Sequence, residues 1–95
     1  TPAPAGDSRD NELYVTALAI NATIGAPTGT PTNGNKVTIR IKDNATPRTL
    51  AFNAIYRAIG VTLPTTTTAS KTMYLGARYN STDSKWDVYA YAQEL

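Results

Sequence analysis

From Lys36 to Lys42 the chain alternates without a break: Val37, Ile39 and Ile41 fall on one side of an extended backbone, and Lys36, Thr38, Arg40 and Lys42 on the other. A helix, with its period of about 3.6 residues, does not separate these two sets, so the run demands a strand with one buried and one wet face. The same signal recurs as far as Gln93, interrupted by turn residues. Lys71–Tyr79 sets Met73, Leu75, Ala77 and Tyr79 against Thr72, Tyr74, Gly76 and Arg78. After the turn residues Asn80–Ser84, Lys85–Ala92 returns with Trp86 and Val88 on one face, which predicts a β-hairpin. Arg48–Phe52 adds a strand that would bury Leu50 and Phe52.

Between these strands the punctuation is strong. Gly25–Asn35 carries three Gly and two Pro, marking a long loop that ends in an Asn33-Gly34 tight turn. Asp43–Pro47 is a turn, and Val61–Ser70, with Pro64 and a run of Thr, reads as an extended edge or a surface loop. Leu13–Ile24 predicts a first strand, with a short helix as rival through Ala17, Ala19 and Ala22. Asn53–Ile59 fits one helical turn or an irregular strand equally well. A chain of 95 residues is long enough for one modest core and too short for two. The expected organisation is therefore a flexible arm or linker over residues 1–12, polar and Pro-containing, followed by a single domain over 13–95. The opening, without Met or an apolar targeting core, reads as an excised or processed piece. The spacing of the elements predicts an all-β fold: a small antiparallel β-sandwich or jelly-roll-like barrel of about five to seven strands.

Chemistry is excluded residue type by residue type. There is no His and no Cys, so imidazole bases, thiolate nucleophiles and their metal sites are absent from the chain. Asp43 and Asp83 sit in predicted turns, where carboxylates satisfy backbone donors, and Asp87 alternates outward beside Trp86; none suggests an acid–base pair. Asp7–Glu12 holds three acids but lacks the spacing of a calcium loop, and the glycines lack the Lys and Ser or Thr of a phosphate loop. The expectation is a protein that is not an enzyme, with no catalytic residues, no metal and no cofactor. A net charge of +2, scattered along the chain, argues against nucleic acid, and no apolar stretch is long enough for membrane insertion.

The tyrosines are the remaining signal. Tyr74, Tyr89 and Tyr91 have the opposite parity to Met73, Trp86 and Val88, so a simple alternation places them on the outer face with Arg78. Tyrosine offers flat apolar area with a hydroxyl at small entropic cost. These residues, Tyr74, Arg78, Tyr89 and Tyr91, are the candidate contacts for a partner protein or a sugar ring; burial against another sheet or a sister subunit is the alternative reading.

The run Pro31–Lys36 leading into Ile39–Asn44, then Phe52 before Asn53–Pro64, Lys71–Gly76, Tyr79–Asp83, Lys85–Asp87 and Ala92–Glu94, resembles a C-terminal β module of tailed-bacteriophage virion structural proteins, of head-decoration, head-fibre or tail-fibre type. The likeness covers about residues 31–94. It implies a non-enzymatic component of the virion surface that mediates assembly or attachment. Its partners would be other virion proteins, a capsid or a fibre stalk, in a homo-oligomer with a trimer favoured. The alternative is a carbohydrate-binding module recognising host-surface glycan.

Overall fold

The computed structural model describes residues 2–95, and these are all-β: seven strands and no helix. They are β1 (Asp10–Leu18), β2 (Ala22–Ile24), β3 (Lys36–Asp43), β4 (Leu50–Phe52), β5 (Tyr56–Ala58), β6 (Met73–Asn80) and β7 (Lys85–Gln93). Two open sheets result, one of five strands in the order β1-β3-β6-β7-β5 and one of two strands, β2-β4. The predicted hairpin is present as β6 and β7, and the Asn33-Gly34 turn closes with the Asn35 N–H donating to the Thr32 carbonyl (3.0 Å).

The expected antiparallel order is corrected. β1 pairs with β3, β2 with β4 and β5 with β7, all in parallel; the antiparallel pairs are β3-β6 and β6-β7. Each parallel partner is the next strand but one. The chain from β1 to β4 therefore alternates between the two sheets and coils in a solenoid-like manner before finishing in the hairpin. The cause is the long Gly-Pro segment after β2, which returns the chain alongside β1 instead of folding back beside it. Neither sheet closes into a barrel. The single predicted strand over Leu13–Ile24 is two strands, with a break at Ala19–Asn21 where the Asn21 side chain accepts the Thr49 N–H (2.9 Å). At Asn53 the side-chain and backbone oxygens accept the N–H groups of Ile55 and Tyr56, which turns the chain directly into β5 and leaves no helix.

The inner face of the large sheet supplies Val37, Ile39, Ile41, Met73, Leu75, Ala77, Trp86 and Val88; Ile24 and Leu50 of the small sheet join them in one core, and all are buried. Phe52 shares the face of Leu50 but is only partly buried, its ring edge-on to Tyr56 at 5.8 Å. The Tyr56 hydroxyl, pushed to a higher pKa by burial, donates to the Gly25 carbonyl (2.9 Å) and ties the edge strand to the Gly-Pro loop.

The segment expected as a tether is docked on this core. The Gly25 N–H donates to the Pro2 carbonyl (2.8 Å), the Thr28 N–H to the Pro4 carbonyl (2.9 Å) and the Gly6 N–H to the Thr28 carbonyl (2.8 Å). Ala5 bridges Thr28 in parallel, Pro4 is fully buried, and β1 already begins at Asp10. Gly6 is needed for this approach: a Cβ there would lie 2.6 Å from Pro27 and 3.0 Å from the Trp86 ring. Composition could not show this, because the docking rests on backbone hydrogen bonds and one proline.

A second tie holds the far end. Asp43 at the end of β3 is buried, and its carboxylate accepts from the Thr67 hydroxyl (2.7 Å), the Ser70 N–H (2.8 Å) and the Ala45 N–H (3.0 Å). Thr67 in turn accepts the Arg48 N–H (2.7 Å), so a turn and the Thr-rich loop are fastened to one strand end. The Thr67 hydroxyl bond first, then the backbone donors, holds the Asp43 carboxyl below its ordinary pKa.

Two outcomes are expected. Trp86, buried and tilted against Tyr79 at a ring separation of 5.3 Å, should cost about 3 to 5 kcal/mol in urea unfolding when replaced by alanine. Asp43 has its folded pKa depressed, so its contribution is full above the unfolded value near 4 and disappears as pH falls through the lower folded value. Wild type and Asp43→Asn should therefore differ in melting temperature at neutral pH, and the difference should shrink as pH falls through the depressed folded value.

Candidate contact face

The register of the large sheet places side chains on its outer face in rows. One row runs Tyr14, Arg40, Tyr74 and Ala92 across β1, β3, β6 and β7. The next contains Glu12, Thr38, Gly76 and Ala90, and a third spans all five strands as Asp10, Lys36, Arg78, Asp87 and Arg57. Among the described residues no strand covers this face. Tyr14, Tyr74 and Tyr89 stand 47%, 45% and 48% exposed, well above what a core tyrosine would show.

The first row is organised around Arg40. Its guanidinium lies 3.9 Å from the centroid of the Tyr14 ring, a cation–π contact, and Tyr74 is the largest influence raising its pKa. The Tyr14 hydroxyl donates to the Glu12 carboxylate, the chief reason its own pKa is raised. Tyr14 thus belongs to the same surface as Tyr74. Alternation between Leu13 and Val15 would have placed it there, once β1 was known to lie in register beside β3.

The expected set Tyr74, Arg78, Tyr89 and Tyr91 is divided. Tyr74 and Arg78 share the outer face of β6, four residues and therefore roughly 13 Å apart. Between Val88 and Ala90 the register with β6 slips, since Val88 opposes Ala77 and Ala90 opposes Gly76; Tyr89 is the extra residue of a β-bulge. Tyr89 stays outside, and a Cβ on Gly76 would meet its ring and hydroxyl at 3.8 Å, so the missing side chain leaves the space beside which the ring lies. Beyond the bulge the parity is inverted. Tyr91 opposes buried Leu75, and its hydroxyl donates to Gln93 (3.2 Å), so it belongs to the inner side, at a margin where the core does not reach it.

At the hairpin end, Arg57 donates to Asp87 (2.8 Å) and Asp83 (2.9 Å), and the Asn80 amide donates to both acids (3.3 and 3.4 Å). Arg57 is the main cause of the lowered Asp87 pKa. Arg57 and Asn80 hold both carboxylates in a pin across β5, β7 and the turn. Among the described residues no group of three or more acidic, His or Cys side chains is placed to hold a metal ion. Asp10 and Glu12 of the expected arm are strand residues on the outer face of β1.

Two hollows open on the surface. One of about 420 Å³ is bordered by Asn33, Arg78, Tyr79, Asn80 and Asp87. The other, of about 260 Å³, is lined by Val15, Thr16, Arg40, Lys42, Thr72 and Tyr74. The face can present aromatic area, hydroxyls and unpaired cations to a ligand, because the ion pairs found among the described residues are those of Arg57 with Asp83 and Asp87.

Gly76→Ala is expected to change stability by less than about 1 kcal/mol, since the added Cβ meets only ordinary contacts. Gly76→Leu should displace the Tyr89 ring, seen as a shift of its aromatic NMR signals with the fold retained.

No family model matches the chain, and no curated protein or solved structure matches it significantly.

Proposed function

We propose that this chain is a non-enzymatic surface module of a tailed-phage virion, a capsid-decoration, head-fibre or tail-fibre component that assembles or attaches through the outer face of its large sheet. In this reading the two layers form a compact β-sandwich, the module associates with capsid or fibre-stalk proteins at the virion surface, and it self-associates as a trimer. The observation that supports a contact role is the row Tyr14, Arg40 and Tyr74 with Tyr89 nearby: three half-exposed aromatic rings gathered on one face are the kind of surface that partners bury. The virion setting is supported by the sequence resemblance.

Glycan binding is the second reading, and the observation favouring it is the hollow beside Tyr74, where hydroxyls and two cations adjoin an aromatic ring. Mass spectrometry of purified particles should detect this chain in stoichiometric amounts, and its absence would remove the virion reading. Light scattering over a wide concentration range should give three times the 10.2 kDa chain mass; a persistent monomer would remove the trimer.

A further inference from the structure

We propose that the outer face of β3 and β6 binds an acidic saccharide, a sugar chain bearing carboxylate or sulfate groups, with one anionic ring seated in the hollow between Arg40, Lys42, Thr16, Thr72 and Tyr74. This deepens the glycan-binding reading and rests on it; it does not require the virion setting.

The argument begins with charge placement. The two central strands carry Lys36, Arg40, Lys42 and Arg78 on the outer face, while the acids of that face stand on the flanks: Asp10 and Glu12 on β1, Asp87 on β7 and Glu94 just beyond it. The flanking acids are largely occupied. Glu12 accepts the Tyr14 hydroxyl, Asp87 is held by Arg57 and Asn80, and Glu94 accepts the Thr72 N–H (3.0 Å). Lys36 and Arg78 stand directly opposite one another across β3 and β6, with Asp10 beside Lys36 and Asp87 beside Arg78 in the same row, whereas the row of Arg40 holds no acid, so the uncompensated positive charge lies at Arg40 and Lys42. Among the described residues none of the four central cations has an ion-pair partner.

Geometry then selects the class of anion. The hollow of about 260 Å³ matches a single sugar-sized group better than an extended protein surface. Arg40 offers a planar fork suited to an oxyanion, and Lys42, two residues along the same strand face, offers a point charge. Thr16 and Thr72 supply hydroxyls that match those of a sugar, and Tyr74 supplies a flat ring for its apolar face. From Lys36 to Lys42 the strand advances roughly 20 Å, long enough for several sugar units to lie along the cations. A nucleic acid would meet the same cations, but the net charge of +2 and the flanking acids give it no continuous basic track.

The test titrates the whole chain with four probes of similar length, followed by amide NMR: a uronic-acid hexasaccharide, a sulfated galactan hexasaccharide, a neutral galactan hexasaccharide and single-stranded oligothymidylate. The expected result is binding of one or both acidic saccharides, weakened by salt, with shifts at Thr16, Lys42 and Thr72. The two acidic arms distinguish carboxylate from sulfate. Lys42→Gln, an exposed side chain with no partner, should weaken binding at least tenfold while the melting curve is kept, and Arg40→Gln with Lys42→Gln should weaken it further. Equal binding of the neutral hexasaccharide would overturn the acidic preference and leave the glycan reading standing. Failure of all three saccharides would overturn both. Tighter binding of oligothymidylate at the same residues would overturn the saccharide assignment in favour of nucleic acid.

Discussion

The structure depends on covering the inner face of a five-stranded sheet with too little second sheet. β2 and β4 are three residues each, whereas β3, β6 and β7 run for eight or nine. The shortfall is met by irregular chain: Gly6 closes over Trp86 at one end beside the buried Pro4, and the Thr-rich loop, fastened by Asp43, lies near the other. Such cover brings backbone polar groups toward the core, and the hydrogen bonds at Gly6, Gly25, Thr28 and Asp43 offset that cost. This is why an apparently loose opening segment and a low-complexity loop are parts of the fold.

That division leaves the two faces of the large sheet with different tasks. The inner face carries most of the buried apolar side chains, and the outer face is free to hold unpaired cations that would be intolerable inside, with aromatic rings beside them. Arg40 shows how the outer residues support one another: its guanidinium rests on Tyr14, which is itself held by Glu12. The face is therefore partly pre-organised, and a ligand would lose less side-chain freedom there than on a surface of isolated lysines.

Period-two patterning made β3, β6 and β7 legible, because one face of each is dry and the other wet. Partnership between strands was not legible. Parallel pairing of β1 with β3 and of β5 with β7 depends on where long loops return the chain, and loop composition reveals length but not direction. At the candidate face, Tyr74, Arg78 and Tyr89 lie where alternation put them, while Tyr91 does not. A single bulge residue inverts parity for the rest of the strand, and the only hint in the sequence was Gly76, whose missing side chain faces Tyr89. Tyr14 escaped notice because its strand had no register until β3 was beside it.

The same bulge bears on how the sheet ends. β5 covers β7 only from Trp86 to Val88, so Tyr89–Gln93 runs beside β6 on one side and, among the described residues, has no strand on the other. This stretch, the bulged Tyr89 followed by Ala-Tyr-Ala-Gln, has no charge and no proline, unlike the opposite edge, where β1 carries Asp10 and Glu12. An uncharged, aromatic edge invites further strands. The bulge limits that tendency at its start, since a slipped residue disrupts the regular spacing a new ladder would need and increases the local twist. Its placement thus joins two requirements: it keeps Tyr89 on the wet face beside Gly76, and it restricts the open edge to the few residues that follow.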